Sequence, residues 1–432
     1  DASVEIISLG GLIDGNYQID YSISGANGPS NQSANVVITG GNGVFTIPSG
    51  LLTNTGTTTI TFTGVTNLDT TCSSLLNFSI NFLVNALPDV NPNEFLIDDI
   101  CLGQDAIGVI FNALNLVDSD YSITYNLTGS NIISNQTANI TISGGTGTFI
   151  IPSALLTNLG TTTATLISIT DLATGCTTSP ILISDDFIIN PLPDTTGTTV
   201  LVTEPICLGD IATVTINSPL LTDGTYNITY DLTGANTVSG SNTVVLVGGV
   251  GSFTIPASEI TISGNYTILI NTITNPITVC SGNSSVITDD FVVNPLPDLL
   301  LSEVSIEDIC IGNDAFVEIF SLGGLQDGNY DFTYSISGAN GPSSQTVSVT
   351  ISGGIGIIVI PSSDLSNIGL TTVSIETIVN TTTTCSSSFT DLIINFNVND
   401  LPNVTPNDLN VDDTCLGQDA IGSILNAINL TD

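Results

Sequence analysis

Apolar and polar residues alternate with a period of two in a segment that occurs four times along the chain. In one copy, Tyr121, Ile123, Tyr125 and Leu127 are separated from each other by single polar residues. Such a period places the apolar side chains on one face of an extended strand. The sequence therefore predicts a half-buried β-strand in each copy, and no stretch shows a matching helical period.

The alternating segment recurs at a nearly constant step. Its copies begin at Tyr17, Tyr121, Tyr226 and Tyr330, which are 104, 105 and 104 residues apart. Gly-Gly-x-Gly tracts and Leu-Pro linkers keep the same step, and a repeat of this length is the size of a domain. The predicted repeats are residues 1–89, 90–194, 195–298 and 299–402, followed by the start of a further repeat in residues 403–432.

A longer period lies over the first. The sequence from Asp1 matches the sequence from Asp314, and Cys-Leu-Gly-Gln-Asp-Ala-Ile-Gly occurs at both Cys101 and Cys415. These near-identical copies predict that the chain is part of a much larger array. We expect that both ends cut through a repeat, so that the first repeat lacks its first cysteine.

Glycine and proline divide each repeat into about seven short strands. The Gly-Gly-x-Gly tract predicts a hairpin turn, and a proline such as Pro152 ends the strand that follows it. The segment from Ala106 to Val117 could be drawn as a helix, but its equivalent from Ile211 to Asn217 is plainly strand-like, so we predict a strand. The sequence thus predicts an all-β fold, a tandem array of immunoglobulin-like β-sandwich domains of about 104 residues.

The composition excludes several classes of function. The chain contains no Lys, Arg or His, and its 40 Asp and Glu give a formal net charge of −40. These counts exclude a lysine Schiff base, a P-loop, a Ser-His-Asp triad and a histidine zinc site. We expect no enzymatic activity, no nucleic-acid partner and no membrane insertion, because side-chain cations and long apolar runs are both absent. With 41% hydrophobic residues, the chain is expected to fold.

The eight cysteines alternate between long and short spacings, and this pattern leaves two disulfide pairings open. Pairing within each repeat gives Cys101–Cys176, Cys207–Cys280 and Cys310–Cys385, with Cys72 and Cys415 bonded to partners outside residues 1–432. Pairing across each linker uses all eight. We favour the first, because extended chain separates the cysteines on either side of a linker by tens of ångströms. Buried free thiols are the alternative, since disulfides need an oxidising compartment.

Acidic residues gather around each linker. Calcium takes oxygen ligands, and carboxylates without cationic partners need a counter-charge. The sequence therefore predicts calcium sites that stiffen the joints, and the alternative is a hydrated acidic surface that keeps a long fibre soluble. The candidate ligands are Asp89, Asp98 and Asp99 at one linker, Asp194, Glu204 and Asp210 at the next, and Asp298, Glu307 and Asp308 at the third.

Three short motifs carry a family resemblance. Cys-Leu-Gly opens the repeats at Cys101, Cys207 and Cys415, Thr-Gly-Cys precedes the end of a repeat at Cys176, and Asn-Pro-Leu-Pro-Asp closes two repeats. Together they resemble the repeat arrays of giant cell-surface adhesins of gliding Bacteroidetes, the SprB-like gliding motility adhesins. The resemblance implies type 9 secretion, an extracellular location on the outer membrane exterior, and a role in adhesion or gliding motility.

The expected function is accordingly that of a stalk segment, which projects a distal binding region and bears force. The expected partners are the anchoring or secretion machinery of the cell surface, and a polysaccharide or substratum bound through regions outside these residues. Two alternatives stay open. The repeats could bind glycans themselves, which needs exposed aromatic side chains, or they could assemble laterally into an extracellular filament or surface layer.

Overall fold

The computed structural model describes residues 1–8, 11–282 and 286–425. It divides into two compact units, residues 1–192 and 193–432. Within the described ranges, the regular structure consists of β-strands and one-turn 3₁₀ helices. These helices are Ser49–Leu51, Pro92–Glu94, Ser153–Leu155, Ala257–Glu259, Leu301–Glu303, Ser362–Asp364 and Pro406–Asp408.

The first unit holds the first two repeats. The first repeat contains β1 (Ala2–Ile7), β2 (Gly15–Gly25), β3 (Ser30–Ile38), β4 (Asn42–Ile47), β5 (Gly56–Asn67) and β6 (Ser73–Val84). The second repeat contains β7 (Phe95–Ile97), β8 (Ile100–Cys101), β9 (Ala106–Ile110), β10 (Ser119–Gly129), β11 (Ile133–Ile142), β12 (Gly147–Ile151), β13 (Gly160–Asp171), β14 (Thr177–Thr178) and β15 (Ile183–Asn190).

Two sheets face each other in the second repeat. The smaller has the order β12-β9-β7 and the larger the order β11-β10-β13-β15-β8, with β14 paired to β13. The opening strand therefore divides between the sheets, because β7 joins the smaller one and β8 runs parallel to β15 in the larger one. Asp98 and Asp99 connect the two halves. This arrangement is an immunoglobulin-like sandwich.

The second unit repeats this topology twice. The third repeat contains β16 (Thr199–Val202), β17 (Ile206–Cys207), β18 (Ala212–Asn217), β19 (Gly224–Gly234), β20 (Val238–Leu246), β21 (Val250–Ile255), β22 (Gly264–Thr274), β23 (Ser281–Gly282) and β24 (Ile287–Asn294). The fourth contains β25 (Val304–Ile306), β26 (Ile309–Cys310), β27 (Ala315–Phe320), β28 (Gly328–Gly338), β29 (Ser343–Ile351), β30 (Ile355–Ile360), β31 (Gly369–Asn380), β32 (Ser386–Ser388) and β33 (Ile393–Asn399). Two short strands follow, β34 (Leu409–Val411) and β35 (Gly422–Ile424).

The alternating segments form the central strands β2, β10, β19 and β28. Their apolar residues are buried between the sheets, as at Tyr121 and Tyr125, which are 1% and 2% exposed. The Tyr121 hydroxyl donates a hydrogen bond to the carbonyl oxygen of Val117 at 2.9 Å, so its polar end is satisfied. The predicted all-β tandem sandwich is confirmed. Of the segment predicted as a strand, Ala106 to Val117, only Ala106–Ile110 is a strand, and residues 111–117 form turns and bends instead.

The Gly-Gly-x-Gly tract turns tightly but does not make the predicted hairpin. Gly144 and Gly145 have φ values of +57° and +76°, which suit a type I′ turn. Only one isolated bridge follows, between Ser143 and Thr146, and then β11 and β12 diverge into opposite sheets. The tract is therefore a corner between the two sheets.

A buried asparagine closes another corner of the sandwich in the first, second and fourth repeats. Asn131 is 2% exposed, and its Nδ2 donates to the carbonyl oxygen of Asn158 at 3.0 Å and to Oγ1 of Thr162 at 2.9 Å. Its Oδ1 accepts a bond from the backbone N–H of Asn158 at 3.0 Å. Asn27 and Asn340 make the same three bonds in the first and fourth repeats. This asparagine clamp ties the loop after β10 to the start of β13.

Candidate functional site

The first cysteine of each complete repeat lies at the end from which the chain leaves the sandwich. Cys101 on β8 pairs in register with Asn190, and Cys207 on β17 pairs with Asn294. Cys310 on β26 pairs in the same way with Asn399. Each of these asparagines ends its strand, so each first cysteine stands beside the start of the following linker.

The second cysteine lies in a turn at the opposite end. The backbone N–H at the end of each long strand donates to the carbonyl oxygen of the cysteine, for example Asp171 to Cys176 at 2.9 Å and Asn380 to Cys385 at 2.9 Å. The residue before the cysteine has a positive φ in every repeat, whether it is Gly175 or Thr384. All four second cysteines therefore lie in turns of the same backbone geometry.

This placement overturns the predicted pairing within repeats. In the second repeat, Gly160 pairs with Ile189 beside β8, whereas Asp171, at the far end of the same strand, binds the Cys176 turn. At about 3.3 Å per residue, the twelve residues of β13 put about 36 Å between these ends, while a disulfide needs its two Cα atoms within about 7 Å. The pairs Cys101–Cys176, Cys207–Cys280 and Cys310–Cys385 are therefore not formed.

The structure bonds cysteines of successive repeats instead. Cys207 of the third repeat and Cys385 of the fourth form a disulfide with an S–S distance of 1.99 Å and a Cα–Cα distance of 5.5 Å. Cys101 and Cys280 each take part in a disulfide as well. The thiols of Cys72, Cys176, Cys310 and Cys415 are free. The alternative pairing across each linker is also not formed, since it requires Cys310 and Cys280 to bond each other.

The linker explains how Cys207 reaches Cys385. Asn294, which is the register partner of Cys207, leads into Pro295–Pro297, and these residues share a small cleft with Asn380 and Thr383 of the Cys385 turn. The backbone N–H of Asp298 then donates to the carbonyl oxygen of Gly324 at 3.0 Å. The linker thus lies along the fourth repeat, and the disulfide crosses the joint beside it.

Most of the acidic residues predicted to bind calcium accept hydrogen bonds from the protein itself. Asp99 and Asp308 lie two residues before the first cysteine of their repeats and Glu204 lies three residues before it. Each accepts a backbone N–H from the last strand of its repeat. The donors are Ile188 at 2.7 Å, Val292 at 2.7 Å and Asn397 at 2.6 Å. In the opposite direction, the N–H of Ile97 donates to Asp185 at 2.7 Å. These carboxylates hold the divided opening strand to the larger sheet.

The other candidate ligands are dispersed. Asp89 accepts a bond from Asn115 at 3.0 Å, and the N–H of Thr196 donates to Asp194 and lowers the pKa of that carboxyl group. Asp98, Asp210 and Glu307 are exposed, and Asp298 contributes its backbone N–H as described above. Within residues 1–8, 11–282 and 286–425, no three His, Cys, Asp or Glu side chains come together as a metal site. Calcium binding stays a prediction.

Removal of the Asp308 carboxylate is expected to loosen the last strand of the fourth repeat. In Asp308→Ala the Asn397 N–H loses its acceptor, and at a loss of about 1 kcal/mol its hydrogen exchange becomes about fivefold faster. Hydrogen-exchange mass spectrometry of the peptide that spans β33 measures this rate. Glu307→Ala is the matched control, because Glu307 is the exposed neighbour. Equal exchange in the two variants contradicts the role of Asp308 as the acceptor that holds the Asn397 N–H.

Aromatic side chains contribute little to the described surface. All nine tyrosines are buried in the sandwiches, and the large exposed aromatic residues of the described ranges are Phe78, Phe316 and Phe320. Carbohydrate recognition by stacking therefore has few ring faces available. Among the described residues, no helix has the length and apolar character needed to cross a bilayer.

Comparison with known proteins does not assign the chain to a family. No family model matches the chain, and no curated protein matches it. A crystal structure of the FN1–FN3 domains of chicken CNTN1 is 13% identical, covers 70% of this chain and 97% of that one, and has a TM-score of 0.29. A tetra-tandem repeat in the extending region of a large adhesion protein is 14% identical, covers 92% and 100%, and has a TM-score of 0.22. Scores this low carry no argument about function.

Proposed function

We propose that this chain is a stalk segment of a very large secreted cell-surface adhesin, which projects a distal binding region and bears force in adhesion or gliding motility. The observation that carries the proposal is the Cys207–Cys385 disulfide, because it crosses the joint between two sandwiches. A covalent bond at this place transmits tension past the linker, whatever the state of either sandwich.

The disulfide and the composition support a structural role in an oxidising compartment. Structural disulfides persist outside the cytosol, so the bond between Cys207 and Cys385 favours an extracellular location. A net charge of −40 favours a soluble, mutually repelling surface. Type 9 secretion and gliding motility rest on the resemblance of the repeat motifs to SprB-like adhesins. No catalytic role is proposed.

Binding and self-association assays of the 432-residue chain separate this proposal from its alternatives. For a stalk, we expect no retention on an array of polysaccharides and glycans, and a monomer in analytical ultracentrifugation at physiological ionic strength. Saturable binding to a glycan supports glycan-binding repeats instead. Concentration-dependent assembly supports the filament or surface layer. Either result contradicts the stalk proposal.

A further inference from the structure

We infer that the repeats are joined by a staggered series of disulfides, in which the first cysteine of each repeat bonds the second cysteine of the next, and that Cys310 is reserved for the repeat that begins at residue 403. This inference goes beyond the proposed function, since the series can exist in any extracellular array. It rests on the equivalence of two joints, one of which carries the bond.

The first observation is that Cys310 occupies the same place in its repeat as Cys207. Both lie on a two-residue strand that runs parallel to the last strand, opposite an asparagine that ends it. Both are partly buried. The Cys207 sulfur is bonded across the joint to Cys385, whereas the Cys310 thiol is free in this chain.

The second observation is that the next linker has the same construction. After Asn294, the chain forms the 3₁₀ helix Leu301–Glu303 and enters the fourth repeat at Val304, ten residues on. After Asn399, it forms the 3₁₀ helix Pro406–Asp408 and enters the next repeat at Leu409, also ten residues on. Because the two linkers have the same length and the same 3₁₀ helix, we expect the next sandwich to lie relative to Cys310 as the fourth repeat lies relative to Cys207.

The third observation is that the partner turn is constant. Each second cysteine in this chain accepts the same backbone hydrogen bond and follows a residue with positive φ: Thr71, Gly175, Val279 or Thr384. β-Branched residues avoid positive φ, so a threonine or valine there marks a turn that the fold imposes. A complete fifth repeat is therefore expected to present its second cysteine as the fourth repeat presents Cys385.

The chemistry is a two-electron oxidation. The thiolate of one cysteine attacks a disulfide oxidant such as oxidised glutathione, which forms a mixed disulfide and releases one glutathione thiol. The thiolate of the second cysteine then displaces the second glutathione. The two cysteines have lost two protons and two electrons, the oxidant has become two thiols, and one S–S bond has formed across the joint.

A staggered series has a mechanical consequence. Cys310 lies inside the loop that Cys207 and Cys385 close, so a bond from Cys310 to the following repeat starts within the previous loop. Successive loops then overlap, and every joint from the third repeat onward is crossed by a covalent bond. Reduction of one bond loosens one joint and leaves the next closed.

Two extended chains test the inference. In the first, residues 119–194 are appended after Asp432, which completes the fifth repeat with the tail of the repeat that it most resembles. In the second, residues 403–432 are replaced by another copy of residues 299–402, a repeat that the structure describes throughout. Both are refolded with glutathione redox buffer, alkylated and digested with Asp-N, because trypsin has no cleavage site in this chain.

So that copied and original peptides differ in mass, the copied segment carries Leu172→Val in the first chain, and Ile311→Val with Thr382→Ser in the second. We expect mass spectrometry to recover the original Cys310 linked to the appended copy of Cys176 in the first chain and to the copied Cys385 in the second. Cys310→Ser is the control, and it is expected to leave the appended cysteine alkylated while Cys207–Cys385 persists. Recovery of Cys310 as an alkylated thiol in both chains overturns the inference. A bond from Cys310 to Cys385 or to Cys415 overturns it as well.

Discussion

Pulled by its two ends after its disulfides are reduced, the chain is expected to extend at least about 60 nm further than it does when oxidised. The bond between Cys207 and Cys385 removes 178 residues of chain from the load path. At about 3.5 Å per extended residue, those residues amount to about 600 Å. The gain is a lower limit, because Cys101 and Cys280 are disulfide-bonded too. Single-molecule force spectroscopy with and without a phosphine reductant measures it.

Two variants control this experiment. Replacement of two of the four free cysteines, in Cys72→Ser/Cys310→Ser, is expected to leave the oxidised extension unchanged. Replacement of all four bonded cysteines by serine is expected to give the long extension without any reductant. If the oxidised and reduced wild-type chains reach the same length, the disulfides do not limit extension and the mechanical role proposed for them is wrong.

Asn131→Ala is expected to destabilise the second repeat by about 3 kcal/mol. The substitution leaves the N–H and carbonyl of Asn158 and the hydroxyl of Thr162 without their buried partner, and each unsatisfied group costs about 1–3 kcal/mol. Hydrogen exchange of the peptide that spans β13 should accelerate by about two orders of magnitude, while exchange in the other repeats stays unchanged.

Asn139→Ala is the matched control for this clamp. Asn139 is exposed on β11 of the same repeat, and its replacement is expected to change stability by less than about 0.5 kcal/mol. Equal exchange in the Asn131 and Asn139 variants contradicts the clamp. Asn27→Ala and Asn340→Ala should reproduce the Asn131 effect in their own repeats, because the same three bonds recur there.

The strands and their order along the chain were predictable because local rules determine them. The alternation around Tyr121 indicates a strand that is buried on one face. Pro152 ends a strand because proline cannot donate a hydrogen bond to the β-ladder, and Gly160 begins the next strand. The corner at Gly144 and Gly145 was not predictable by the same rules. A type I′ turn suits a hairpin, and only tertiary packing sends the next strand to the other sheet.

The predicted pairing of cysteines within each repeat was wrong for a physical reason. Spacing along the chain suggested a loop of about 75 residues within each repeat, but the two cysteines stand at opposite ends of a strand about 36 Å long. The Cys385 turn lies beside the linker that enters the fourth repeat, so Cys207 and Cys385, which are 178 residues apart in sequence, become neighbours across the joint. Spacing alone contains no information on that geometry.

The asparagine clamp could have been recognised from the spacing of its residues. Asn27, Asn131, Asn236 and Asn340 recur at steps of 104, 105 and 104, like the tyrosines. A polar residue that keeps the repeat step beside a buried strand is a candidate for a buried hydrogen-bonding role. The third repeat departs from the others, since Asn236 there accepts a bond from the Tyr266 hydroxyl.

The absence of Lys, Arg and His also has a structural meaning. Carboxylates such as Asp99, Glu204 and Asp308 find their partners among backbone N–H groups, which supply the donors that cationic side chains supply elsewhere. One carboxylate near each linker is therefore part of the sandwich at its strand switch. Composition alone could not distinguish this use of an acid from metal ligation.

The disulfide map of the unreduced 432-residue chain tests the central claim most directly. After alkylation and Asp-N digestion without reductant, the peptide that carries Cys207 should be recovered linked to the peptide that carries Cys385, and Cys310 should be recovered as an alkylated thiol. Recovery of Cys207 linked to Cys280, or of Cys310 linked to Cys385, would show that each repeat closes on itself and would contradict a covalent joint.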